Sequence, residues 1–320
     1  MAEHETPLAS RERGVNLFFG PDDRLRAGWR AVLGIVAAYA TSEIAATLAF
    51  SVGRPGKPAF DLVYRPLAMA LMIAVFSAME VVLDRVQGSP LAAQGLPSRN
   101  WAREFLLGLA IGSMLIAIAV AALGLTGGVS LTATGSDHPV AALLGVLFVL
   151  STAALLEELM FRGYPFQRLV EALGAAPAIL VLSALFGYVH IRNPHASTIG
   201  ILNTVLVGIL LAVAYLRTRA LWLPWGIHLA WNATLGVVFG LRVSGLDLSV
   251  LVKGTTQGPE WLTGGDYGLE ASVLGSVVIL LGFLPVLWLF PGQNGGSIQQ
   301  DFTLGLEPGG ISGGEGHPKL

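Results

Sequence analysis

The side chains of this 320-residue chain that could perform chemistry lie in three short motifs, each within apolar sequence. The motifs comprise Glu157, Glu158 and Arg162; Phe186 and His190; and His228 and Asn232. A charged side chain in hydrocarbon costs at least about 2.5–3.5 kcal/mol on insertion scales, so each ionisable residue needs a partner or a task. Their combination in one chain predicts a shared polar site.

The spacing of the first motif separates its two glutamates. Glu158 and Arg162 are four residues apart, with the acid first, which is the favourable order for an ion pair on a helix. Adjacent helical residues point about 100° apart, so Glu157 faces another direction. We therefore expect an ion pair between Glu158 and Arg162 and a free carboxylate at Glu157. The alternative is that both acids serve the one arginine.

These residue types suit the hydrolysis of a peptide bond. The reaction needs a general base for the attacking water and donors for the oxyanion that develops. A free carboxylate at Glu157 supplies the base. His228 and Asn232 lie one helical turn apart, so an imidazole and an amide can donate to the same oxygen.

The composition shows which kind of protein must position these groups. Hydrophobic residues make up 53% of the chain and charged residues 12%, against about 25% charged residues in soluble domains. This excludes an ordinary soluble enzyme, a disordered chain and a nucleic-acid-binding protein with a basic face. The absence of cysteine excludes disulfides, thiolate metal sites and cysteine nucleophiles.

Long apolar runs predict an all-α, polytopic membrane bundle of about eight transmembrane helices. The backbone finds no hydrogen-bond partner in lipid, so runs of 20 or more residues without alternation must be helical. The runs cover residues 29–51, 60–84, 101–125, 139–163, 175–190, 197–217, 220–241 and 270–291. The fifth run is short, and its approach is interrupted by Gly174 and Pro177. We therefore expect Tyr164–Leu173 to lie along the inner membrane interface.

The runs divide the chain into five parts. They are a polar N-terminal tail (1–28), helices 1–3 with their loops (29–138), a catalytic core (139–241), a long loop with the last helix (242–291) and a Gly-rich disordered tail (292–320). With the N-terminus inside, thirteen Lys and Arg residues fall on inner segments and five on outer segments. This bias predicts a multi-pass protein of the cell membrane with both termini in the cytoplasm.

Glycine spacing offers a weaker signal. Gly108 and Gly112, and likewise Gly236 and Gly240, form a G-x-x-x-G pattern of the kind that allows close contact between membrane helices. The chain contains 40 glycines, so such a pattern also arises by chance and receives little weight.

The three motifs together resemble the CPBP family, which contains type II CAAX prenyl endopeptidases and related bacteriocin-processing or immunity proteins. That family is marked by E-E-x-x-x-R, F-x-x-x-H and H-x-x-x-N or H-x-x-x-D, and all three motifs are intact here. The similarity covers about residues 140–240. It implies a multi-helix intramembrane endopeptidase without a cofactor, acting on a membrane-associated peptide or protein. That substrate is either a prenylated CAAX-type chain or another membrane-associated peptide, such as a bacteriocin precursor.

The resemblance also implies a role for each matching residue. Glu157 would activate water, His190 would hold that water, His228 and Asn232 would form the oxyanion hole, and Glu158, Arg162 and Phe186 would give structural support.

Two alternatives remain open at this stage. Glu157, His190 and His228 are a legitimate ligand set for a catalytic zinc ion, although H-E-x-x-H is absent and Asn232 would be idle. A non-catalytic immunity or scaffold protein could carry the same motifs and act by binding. The sequence does not indicate the oligomeric state.

Overall fold

The computed structural model describes residues 16–55, 57–84, 91–135 and 138–291. The predicted Gly-rich tail (292–320) and the first 15 residues of the N-terminal tail lie outside these ranges. The predicted division of the chain into five parts stays a prediction.

Most of the described residues form helices. The helices are α1 (Ala27–Ala49), α2 (Pro58–Asp84), α3 (Trp101–Leu125), α4 (Pro139–Arg162), α5 (Tyr164–Leu173), α6 (Ala175–Val189), α7 (Thr198–Thr218), α8 (Trp222–Ala233), α9 (Glu260–Thr263) and α10 (Val273–Leu289). Each of the eight apolar runs coincides with one of these helices to within a few residues or contains one, which confirms the predicted all-α class.

Among the described residues, fewer helices than the predicted eight have the length of a membrane span. Six helical stretches in the described ranges are long and apolar enough to cross a membrane, and the helix Val273–Leu289 is apolar but shorter. Helix α8 has 12 regular residues and continues as a π-helical turn over Thr234–Val238. The predicted count of about eight is therefore approximate.

A small two-stranded sheet, largely exposed on its first strand, accompanies the helices. Strands β1 (Val129–Ala133) and β2 (Val252–Thr256) pair antiparallel, with Val129 opposite Thr256 and Ala133 opposite Val252. The pairing ties the segment after α3 to the long loop after α8. Hydropathy along the chain does not predict it, because each strand has only five residues.

Helices α3 and α8 pack closely through glycines. A Cβ atom on Gly226 of α8 would lie 2.4 Å from the carbonyl oxygen of Phe105, and one on Gly112 of α3 would lie 2.4 Å from that of Ile227. A Cβ on Gly108 would lie 2.5 Å from the carbonyl oxygen of Leu223. Gly108 and Gly112 therefore form a real contact surface and not a chance pattern.

Replacing Gly226 with Ala is expected to destabilise the fold by about 1–3 kcal/mol, because backbone of α3 occupies the space for the new methyl group. Gly145→Ala is the matched control, since a Cβ there meets nothing within 4 Å. The free energy of unfolding in detergent micelles measures both. Equal stability of the two variants would contradict the close packing.

Helix α5 is a separate short helix between α4 and α6. Seven of its ten residues are buried, from Tyr164 to Val170. Its Glu171 pairs with Arg168 on the same helix and with Arg30 on α1. The break at Gly163 and Gly174 matches the predicted separation of this segment from the fifth apolar run. Its placement at the membrane interface stays a prediction.

Two clusters of buried apolar residues make up the core. One lies mainly among α3, α7, α8 and α10, and the other mainly among α1, α2, α4, α5 and α6. Helices α4 and α8 come from different clusters and contact each other, and the indole Nε1 of Trp225 donates to the carbonyl oxygen of Ser151 at 3.0 Å. The seam between the clusters therefore brings the first and third motifs together.

Candidate active site

The last turns of α4 hold the predicted ion pair. Arg162 Nη1 lies 3.2 Å from Glu158 Oε1, and both side chains are buried. The other arm of the guanidinium, Nη2, donates to the carbonyl oxygen of Gly208 on α7 at 3.2 Å. The fork thus joins α4 to α7 while it neutralises a buried carboxylate.

Glu157 points away from this pair, as the helical spacing predicts. Its side chain keeps 29% of its surface exposed, whereas that of Glu158 is fully buried. The closest ionic contact of Glu157 is to His228, at 3.7 Å between Oε2 and Nε2. The carboxylate therefore remains open to a small molecule such as water.

Glu158 also orients His228, a contact that sequence spacing does not predict. The Nδ1 atom of His228 lies 2.8 Å from Glu158 Oε1, across 70 residues of chain. A carboxylate oxygen accepts, so Nδ1 carries the proton in this bond. The other ring nitrogen, Nε2, faces Glu157. Glu158 thus supports two residues, Arg162 and His228, where the resemblance implies only general structural support.

His190 lies where α6 ends and a 3₁₀ turn over His190–Arg192 begins. Its Nδ1 donates to the carbonyl oxygen of Phe186 at 2.7 Å, because a carbonyl can only accept. In the neutral ring this leaves Nε2 as an acceptor. The F-x-x-x-H spacing therefore fixes the tautomer of the imidazole as well as its position.

The Phe186 ring lies close to the Arg162 guanidinium and to both imidazoles. The guanidinium carbon of Arg162 is 4.6 Å from its centroid, within the range of a cation–π contact. The rings of His190 and His228 lie 4.6 Å and 6.2 Å from it, centroid to centroid. One buried aromatic side chain thus contacts a residue from each of the three motifs.

Asn232 follows His228 by one turn of α8, and the π-helical turn begins two residues later. Its side-chain amide makes no hydrogen bond to any residue in the described ranges. Other amides of the interior are used: Asn203 donates to the carbonyl oxygens of Glu270 and Ser272, at 2.8 and 2.9 Å. The amide of Asn232 is therefore available to a ligand.

One cavity brings the predicted groups together. It has a volume of about 200 Å³, and Glu157, His190, His228 and Asn232 all line it. Apolar side chains of α4, α7 and α8 form much of the remaining wall. A carboxylate, two imidazoles and a free amide thus face one partly apolar space, and together they offer a general base and hydrogen-bond donors.

The long loop after α8 adds residues that sequence reasoning missed. Ser244 and Glu270 line the cavity, and the Glu270 carboxylate accepts from the indole Nε1 of Trp231 at 2.9 Å and from the Ser244 hydroxyl at 3.0 Å. The backbone N–H of Ser244 also donates to Glu270. No motif marks these positions, because they are separated along the chain and meet only after folding.

The zinc alternative requires three ligands around one point. In the described ranges no group of three or more His, Cys, Asp or Glu side chains is placed to hold a metal ion. Glu157, His190 and His228 line the same cavity, and the Nδ1 atom of each histidine is held by protein while its Nε2 is left for a ligand.

Comparison with known proteins adds a family to this geometry. Residues 139–234 match the family model described as type II CAAX prenyl endopeptidase Rce1-like. Searches of curated proteins and of solved structures found no match. The family supports protease activity and CAAX processing in a multi-pass membrane protein. The matched segment carries all seven predicted site residues, and it is this part of the chain that is similar to the Rce1-like type II CAAX prenyl endopeptidases.

Proposed function

We propose that this protein is an intramembrane endopeptidase of the glutamate type, which hydrolyses a peptide bond in a membrane-associated, prenylated CAAX-type substrate. The observation that carries the proposal is the convergence of Glu157, His190, His228 and Asn232 on one cavity. The Rce1-like match supports the same reaction class. The bias of Lys and Arg residues supports a cytoplasmic location for both termini.

In the proposed mechanism Glu157 is the general base. Its exposed carboxylate takes a proton from a water molecule, and the resulting hydroxide attacks the peptide carbonyl carbon. The Nε2 atom of His190 accepts the second hydrogen bond of that water, because its Nδ1–H is held by Phe186. The proton on Glu157 then passes to the leaving amine as the carbon–nitrogen bond breaks.

Asn232 and His228 stabilise the oxyanion in this mechanism. The free amide of Asn232 donates directly. His228 can donate through Nε2 when both ring nitrogens carry a proton, because Nδ1–H is bound to Glu158. The carboxylates of Glu157 and Glu158 flank the ring and stabilise that imidazolium. Glu158 and Arg162 act as positioning residues that keep the ring aimed into the cavity.

Cleavage of a prenylated CAAX-type peptide by the purified full-length protein in nanodiscs tests the proposal. Mass spectrometry identifies the fragments, and metal analysis of the same sample addresses the zinc alternative. We expect cleavage at one peptide bond without stoichiometric zinc. A protein that binds the peptide and leaves it intact would instead favour the non-catalytic reading.

The Asn232→Ala variant is expected to lower kcat by about 10²- to 10³-fold, as the loss of one oxyanion donor does in other hydrolases. The same assay measures this effect. Asn100→Ala is the matched control, because the Asn100 side chain is exposed and makes no capping bond at the start of α3. A rate within threefold of the wild type would remove Asn232 from the oxyanion hole.

A further inference from the structure

The cavity contains one cation that the proposed mechanism does not use. Arg65 lies on α2, inside an apolar stretch long enough to span a membrane, and its side chain lines the cavity with Glu157 and Asn232. A guanidinium inside a membrane helix needs a counter-charge or hydrogen-bond acceptors. Because Arg65 lies in the wall of the site, a bound substrate can supply that counter-charge or those acceptors.

Within the described ranges, Arg65 has no partner. Its buried Nε atom makes no hydrogen bond, and the side chain forms no ion pair. Arg162 pairs with Glu158, and Glu270 accepts from Trp231 and Ser244. The open carboxylate of Glu157 makes its ionic contact with His228 and not with Arg65. Arg65 is therefore the site's unmatched positive charge.

An arginine fork suits a carboxylate, which it binds with two parallel hydrogen bonds. A peptide that ends in C-a-a-X carries a free α-carboxylate three residues after its cysteine. Three extended residues reach at most about 10–11 Å. If the cleaved bond follows the cysteine, the negative charge of the C-terminal carboxylate therefore lies at most about 10–11 Å from the reacting carbonyl.

We propose that Arg65 binds the C-terminal carboxylate of the peptide substrate and so selects peptides that end shortly after the cleaved bond. This inference rests on the proposed function, since it names a specificity-determining residue for the same site. It distinguishes a protease that requires a free chain end from one that cuts within a continuous chain.

Two prenylated peptides of the same sequence test the inference, one ending in a free carboxylate and the other in an amide. The full-length protein is assayed in phosphatidylcholine nanodiscs, so that no anionic headgroup competes for Arg65. The wild type is expected to prefer the acid in kcat/KM by about 10- to 100-fold, the range of a charge-assisted hydrogen bond.

The Arg65→Gln variant is expected to reduce that preference to about twofold or less, since its amide side chain lacks the charge. Arg65→Lys keeps the charge but loses the fork, so an intermediate preference is expected. Arg54→Gln is the matched control, because Arg54 is exposed on the connection between α1 and α2. This variant should prefer the acid peptide as strongly as the wild type does.

Equal cleavage of the acid and the amide by the wild type would overturn the inference without needing any variant. An undiminished preference in Arg65→Gln would overturn it too. Binding of fluorescent versions of both peptides repeats the comparison without catalysis. If neither peptide is cleaved, the proposed function fails, while a binding preference for the acid that disappears in Arg65→Gln would still support the role of Arg65.

Discussion

Replacing Glu157 with Gln is expected to lower the kcat of peptide cleavage by about 10²- to 10⁴-fold, the usual contribution of a general base. The amide has nearly the shape of the carboxylate but cannot take the proton of the attacking water. Because the side chain is 29% exposed and its closest ionic contact is 3.7 Å long, the fold should tolerate the change. Cleavage of a prenylated CAAX-type peptide in nanodiscs measures the rate.

Glu260→Gln is the matched control for this variant. Glu260 is exposed on the short helix α9 and does not line the cavity, so the same substitution there should leave the rate unchanged. A Glu157→Gln protein that retains more than a tenth of the wild-type rate would assign the base to another group. A phenotype that survives the change in cells would favour the binding or scaffold alternative.

Replacing Glu158 with Gln is expected to give the largest loss of stability, about 3–5 kcal/mol, as is typical when one partner of a buried ion pair is removed. The substitution leaves the buried guanidinium of Arg162 without its counter-charge. It also removes the acceptor that holds His228 Nδ1 at 2.8 Å, so activity should fall together with stability. The free energy of unfolding in mixed micelles measures the first effect.

A double variant separates charge imbalance from other causes. Adding Arg162→Met to Glu158→Gln removes both charges, and we expect it to recover part of the lost stability, because an apolar replacement of a buried pair is often well tolerated. Activity should not recover, since His228 still lacks its carboxylate. Glu43→Gln on the exposed face of α1 is the control. If Glu158→Gln leaves the stability unchanged, the contacts of Glu158 with Arg162 and His228 do not stabilise the fold as described.

The parts of the site that follow from local helix geometry were predictable from the sequence. The four-residue spacing of Glu158 and Arg162 and the 100° step to Glu157 predict an ion pair and a separate carboxylate, and the structure contains both. The spacing of Phe186 and His190 likewise places their rings in contact. These relations involve a single helix, so they need no knowledge of the tertiary fold.

Relations between distant segments were not predictable. The bond from His228 to Glu158 spans 70 residues, and no pattern in either motif requires it. The cavity wall formed by Ser244 and Glu270 depends on how the long loop folds back over α8. Arg65 lies nearly a hundred residues before the first motif, so only the folded chain shows that it faces the same space.

Helix lengths and helix–helix contacts were only partly predictable. Hydropathy does not show where a helix becomes irregular or which helix packs against a given face. The apolar run 220–241 becomes a regular helix of 12 residues followed by a π-helical turn, not one continuous span. The pattern at Gly108 and Gly112 becomes informative once Gly226 is found opposite it on α8. A glycine pattern shows which face of a helix can make a close contact, but it does not show which helix packs there.

An experimental structure of the full-length protein with a phosphonate analogue of a prenylated CAAX-type peptide tests the central claim most directly, because the phosphonate oxygens imitate the tetrahedral intermediate. The account predicts one phosphonate oxygen about 2.7–3.1 Å from the Asn232 amide and close to His228 Nε2, with a second oxygen beside Glu157 and His190. A phosphonate bound outside this cavity, or a metal ion held between the two histidines, would contradict the account.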